Sequence, residues 1–199
     1  MNTSRTPQHR LKACREKGFT LIETLIAIAV LTLAIVGPFQ IAQGVLESAY
    51  TARDQLIASG LAQDGMEYVR MIRDSDYLYN AYNGTGSVNW FSGLDGTNGP
   101  DCYSNTCLID PTAYQPASEI FTAGSSVCSV GGTCTGVPAL YLDSSNVYNQ
   151  ANRGTVTKFT RTMTLTRIST RETLITITVS WNNHGIKTFT LTENLQNWL

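Results

Sequence analysis

A chain of 199 residues has room for one ordinary domain plus an anchor. Its net charge of −1 averages a basic start with an acidic remainder. An acidic body has no electrostatic hold on a phosphate backbone, so nucleic acid is not an expected partner.

The first element is a leader, residues 1–18, where Arg5, Arg10, Lys12, Arg15 and Lys17 stand against Glu16. The apolar run Phe19–Phe39 follows, and its roughly 21 positions at 1.5 Å each suffice to span a bilayer core. Basic residues ahead of an apolar span stay in the cytoplasm, which sends the remainder of the chain outward. An ordinary secretory signal is cut after its apolar core, beside small residues. Ala27 and Ala29 mimic such a site, but they leave only about eight apolar residues before it, the short end for a signal core.

Glu23 is the odd residue in this run. A carboxylate one turn into a membrane helix costs about 2.5–3.5 kcal/mol and needs a partner. A cut between Gly18 and Phe19 would supply one: an α-amino group four residues upstream, reinforced by the positive end of the helix dipole.

The stretch Lys17-Gly18-Phe19-Thr20-Leu21-Ile22-Glu23-Thr24-Leu25 resembles the type III signal of type IV prepilins and type II secretion pseudopilins. The resemblance covers about the first 40 residues, with Thr24 where the family more often has an aliphatic residue. It implies that prepilin peptidase cuts after Gly18 and methylates the Phe19 amine, and that Glu23 guides docking onto the terminus of the adjacent filament subunit. It further implies as partners other pilin or pseudopilin subunits through the N-terminal helix, an inner-membrane assembly platform and the lipid bilayer. The location implied is the inner membrane, single-pass, and then a filament on the cell surface.

From Phe19 to about Arg73 the chain reads as one long helix. Pro38 cannot donate to Ala34, so Gly37-Pro38 is expected to kink or loosen it. In related pilins the equivalent region melts within filaments. In the amphipathic half, 40–73, Ile57, Leu61, Gly65, Tyr68 and Ile72 recur at helical spacing and mark a core-facing stripe. Gln55, Asp64, Glu67 and Arg70 lie around it, and Gly60 and Gly65 permit close approach of a sheet or helix. Ala62-Gln63-Asp64-Gly65-Met66-Glu67-Tyr68-Val69-Arg70, together with the apolar start, most resembles minor pilins of the V type and pseudopilins of the I type.

Residues 74–152 show little periodicity and read as a variable loop region. Cys14 falls in the leader, which leaves Cys102, Cys107, Cys128 and Cys134, an even number that favours two disulfides in an exported domain. Spacing suggests Cys102–Cys107 and Cys128–Cys134, although four cysteines allow three pairings and a four-thiolate zinc site is the competing reading. Asp95-Gly96-Thr97-Asn98-Gly99-Pro100-Asp101 places oxygen ligands in a tight loop, without the ligand spacing of a calcium hand. Tyr77, Tyr79, Tyr82, Trp90 and Phe91 either form a contact patch or cover the helix and sheet.

The last third, 153–199, reads as an antiparallel sheet. Thr155–Ile168 alternates, and Thr173–Trp181 puts Ile175, Ile177, Val179 and Trp181 on one face. Asn182-Asn183-His184-Gly185 forms a turn, and Ile186–Thr192 returns with Phe189 and Leu191 inward. Histidines number two, His9 in the leader and His184 in this turn. No Gly-rich phosphate loop, nucleophile elbow or His-x-x-x-His pair appears, so neither catalysis, a metal nor a cofactor is expected. The fold expected is α+β and pilin-like, a long N-terminal helix packed on a C-terminal antiparallel sheet. The function expected is a minor pilin or pseudopilin, with a major pilin or a filament-mounted binding module as the alternatives.

Overall fold

A single helix, α1 (Leu21–Asn83), contributes to both units into which the chain divides, Met1–Ser48 and Ala49–Leu199. The computed structural model describes residues 18–84, 89–97, 99–113, 127–130, 139–183 and 185–197. In the first unit those residues are the start of α1. The second unit is where burial begins.

There the expected stripe faces a core: Leu61, Gly65, Tyr68 and Ile72 are buried, joined by Ala58, Ala62, Met66 and Val69, with Ile57 packed at the edge. Against it lie β5 (Thr155–Ser169), β6 (Glu172–Asn182) and β7 (Ile186–Gln196), an antiparallel meander. Strict alternation turns Phe159, Met163, Leu165, Ile175, Ile177, Val179 and Trp181 inward. Threonines occupy much of the opposite face, in cross-strand rows such as Thr164–Thr176–Thr192. The third strand runs past its expected end at Thr192, because Leu195 is buried on the same face as Leu191. The arrangement is α+β and pilin-like.

Two departures from the expected boundaries have physical causes. The helix continues past Arg73 because its core-facing positions continue, but they are filled by Asp76 and Asn80, both buried. Ile72, Asp76 and Asn80 keep the spacing of four while losing the hydrophobic signal that reveals it. Within the expected loop region, short strands β1 (Cys107–Ile109), β2 (Val127–Ser129), β3 (Ala139–Leu142) and β4 (Tyr148–Asn149) extend the sheet. β5 is long enough to pair with β3 along its first half and with β1 at Met163. Strands of two to four residues are too short to show alternation.

Close contact of helix and sheet depends on Gly65, where an added Cβ would lie 3.1 Å from Ile177 Cδ1 and 3.5 Å from Arg161 Cδ. Arg161 interrupts the apolar face of β5 and is fully buried. Its Nη1 donates to the Leu61 carbonyl and to Asp64 Oδ2, both at 3.0 Å, and its Nη2 donates to the Ile109 carbonyl at 2.7 Å. One side chain thereby ties α1, β1 and β5 together. Burial pushes its guanidinium below the usual value, against the pull of Asp64 and Asp110. At the rim, Lys158 donates to Asp54 at 2.6 Å, and Arg70 is shared by Glu67 and Glu193.

Replacing Arg161 by Ala leaves a cavity and two backbone carbonyls without their donor, at a cost of about 3 kcal/mol. Urea denaturation should show that loss, with Arg161→Met recovering part of it through volume alone.

Asp76 gives the fold a pH dependence. It is fully buried, and among the described residues neither carboxylate oxygen has a partner in hydrogen-bond geometry. Burial pushes its pKa up to about 8, the Ser92 backbone N–H pulling the other way and the charge of Asp95 adding to the rise. The folded chain therefore holds a proton that the unfolded chain releases near pH 4. Stability should decline as pH rises between about 4 and about 8. Denaturation of Asp76→Asn at pH 5, 6.5 and 8 should trace a flatter profile than the wild type.

Candidate functional site at the start of the long helix

Gly18, Phe19 and Thr20 precede the helix in irregular, exposed backbone. Thr20 closes the helix start: its carbonyl accepts the N–H groups of Glu23 at 3.0 Å and Thr24 at 3.2 Å, and its Oγ1 accepts the Glu23 N–H at 3.4 Å. Thr20-Leu21-Ile22-Glu23 is the Thr-x-x-Glu pattern of a capping box, a polar signal that hydrophobic periodicity does not register. The hydroxyl satisfies one of the orphan N–H groups of the first turn. As a result the Gly18–Phe19 peptide lies outside the helix. A Cβ added at Gly18 would meet nothing within 4 Å.

Glu23 sits in the first turn, where the helix dipole favours a negative charge. Among the described residues no cation pairs with it. Its side chain is open to a partner from outside its own chain.

Beyond Glu23 the helix carries no charged residue from Thr24 to Leu46, a stretch of 23 residues. At 1.5 Å each this is about 35 Å, longer than a bilayer core of about 30 Å. The uncharged stretch thus runs past the expected boundary at Phe39. Large apolar residues cover every side of it, and all remain more than half exposed, from Leu33 at 77% to Val36 at 53%. A helix apolar all round and exposed all round has no stable place in water. Its few hydroxyls are turned back on the backbone: Thr24 donates to the Leu21 carbonyl at 2.9 Å and Thr32 to the Ala29 carbonyl at 2.8 Å. Gly37 and Pro38 both stay within α1, and a Cβ at Gly37 would find open space.

The other candidate residues lie in the second unit. Cys102 and Cys107 form a disulfide, and Cys128 is also disulfide-bonded. Cys134 lies outside the described residues, as do Cys14, His9, Asn98 and His184. Asp95 and Asp101 face each other across an isolated bridge, and their oxygens serve the local turns. Asp95 accepts from Asn89 Nδ2 at 2.6 Å and the Thr97 N–H at 3.0 Å, while Asp101 accepts from the N–H groups of Tyr103 at 3.0 Å and Ser104 at 3.2 Å. No group of three or more metal-ligating side chains occurs among the described residues. The aromatic set divides: Phe91 is in the core with Trp90 packed on it, whereas Tyr77 and Tyr82 are exposed.

Residues 14–37 match the family described as the prokaryotic N-terminal methylation motif. The chain therefore carries a type IV prepilin-like signal, on a helix long and apolar enough to cross a membrane. No curated protein and no solved structure matches the chain.

Thr20→Val removes the capping oxygen but keeps the shape, at a cost of about 1 kcal/mol to the first turn. Hydrogen exchange of the full-length protein in detergent should show the Glu23 amide exchanging about fivefold faster, with amides near Ile35 unchanged.

Proposed function

We propose that this chain is a minor pilin or pseudopilin, incorporated into a type IV pilus or type II secretion-like filament after its leader is cut between Gly18 and Phe19. The apolar half of α1 holds it in the inner membrane, with the second unit outside the cytoplasm. What carries this reading is the coincidence, in the same few turns, of the methylation motif with a helix that is apolar and exposed on all sides.

The mechanism is assembly. Cleavage removes the basic leader and leaves a cationic amine at Phe19, which methylation keeps charged. In lipid or in a filament core, that amine and Glu23 are the strongest charges available near the helix start, and a low dielectric magnifies their attraction. Glu23 of one subunit reaches the Phe19 amine of the next only at the correct axial offset, so the pair sets register while apolar side chains supply the contact area. The Cys102–Cys107 disulfide, and a proposed Cys128–Cys134 partner, suit a domain held in an oxidising compartment. A major pilin differs in abundance rather than in this chemistry, and the composition of purified filaments separates the two.

Mass spectrometry of the protein from its native host should find a mature chain that begins at Phe19 and is one methyl group heavier than the bare sequence. Gly18→Ala should still be cut, while Gly18→Arg should accumulate at full length in the membrane. Glu23→Val should insert and be processed but fall by about tenfold in sheared filaments, the loss of one charge-assisted bond. A mature terminus anywhere but Phe19 would overturn the proposal.

A further inference from the structure

Arg167, near the end of β5, lies over the Tyr103 ring with its guanidinium carbon 4.8 Å from the ring centre. It is exposed, and among the described residues no carboxylate lies within ion-pair distance of it. The ring beneath it is held firmly. The Tyr103 hydroxyl shares a 2.8 Å hydrogen bond with Thr173 Oγ1, and its backbone belongs to the loop closed by the Cys102–Cys107 disulfide. A planar, exposed cation is thus held over a rigid aromatic platform, drawn as well to the Tyr103 hydroxyl and to the charge of Asp101.

Two clefts meet at this pair. The larger, about 390 Å³, is bounded by Asp95, Asp101 and Thr166; the smaller, about 80 Å³, by Trp90, Ser169 and Thr170. Arg167 and Tyr103 line both. β5 runs in the same direction as α1, since Lys158 meets Asp54 and Arg161 meets Asp64. Arg167, farther along β5, therefore stands at the end of this unit remote from Ala49.

The chemistry of these walls is specific. Aromatic rings accept the C–H face of a sugar, and hydroxyls and carboxylates bond its hydroxyl groups. The guanidinium forms paired hydrogen bonds with a carboxylate. A neutral sugar leaves Arg167 unused. A dense polyanion such as a phosphate chain is opposed by Asp95 and Asp101. We propose that this cleft binds an acidic glycan, a pyranose bearing a carboxylate, with Arg167 on that carboxylate and Asp101 or Asp95 on ring hydroxyls.

The test uses the full-length protein in a detergent without a sugar headgroup, followed by saturation-transfer NMR. The probes are tri-galacturonate, the matched neutral trisaccharide and inorganic phosphate. Tri-galacturonate should bind at least about tenfold more tightly than the neutral trisaccharide, and phosphate should not displace it. Arg167→Ala and Arg167→Lys should each weaken binding by about tenfold, the latter because an ammonium lacks the planar fork, with melting curves unchanged. The proposal fails if tri-galacturonate shows no saturation transfer. It fails equally if the neutral trisaccharide binds as well, if phosphate competes, or if Arg167→Ala binds like the wild type.

Discussion

The apolar surface of α1 between Leu21 and Leu46 must be covered, and the described residues leave it exposed. Water cannot solvate such a helix stably, so lipid or another apolar surface must enclose it. That constraint makes the rest of the chain intelligible. Charge is absent from Thr24 to Leu46, and the basic residues lie ahead of Phe19. The one acid admitted, Glu23, lies in the first turn of α1. Thr20 caps that turn, which keeps the Gly18–Phe19 peptide out of helical geometry.

In the second unit α1 becomes one wall of a packed core. Gly65 brings the sheet to within van der Waals contact of the helix, and Arg161 then reaches across the interface to backbone carbonyls on two other elements. Burying a guanidinium is costly unless its donors are used, and here two of its nitrogens are satisfied by geometry that only one docking of helix on sheet provides. The arginine therefore specifies how the layers meet at least as much as it strengthens them. Asp76 works against stability at neutral pH, and the fold tolerates it at the far end of the same interface.

Legibility in the sequence followed signal strength. The alternation of Thr173–Trp181 and the spacing of Leu61, Gly65, Tyr68 and Ile72 are periodic over several repeats, and the structure places those residues in the core. The end of the helix was hidden because Asp76 and Asn80 occupy inward positions where a hydrophobic pattern has nothing to register. Arg161 was hidden by the same rule, since a charged residue on a strand reads as outward until its partners, Leu61 and Ile109, are brought close by the fold. The short strands β1 to β4 depend on pairing with β5 and with one another rather than on their own pattern. Of the site, the basic leader, the uncharged run and the lone Glu23 within it are legible in charge and hydropathy, while the cap at Thr20 requires attention to a polar pattern. The Arg167–Tyr103 pair joins residues far apart in sequence that no local motif connects.

The back-bonded hydroxyls of Thr24 and Thr32 have a further consequence. Because each is satisfied by its own helix, neither hydroxyl asks for a partner on an adjoining surface. Exchanging lipid tails for apolar side chains around them therefore breaks no hydrogen bond at these two positions and forms none.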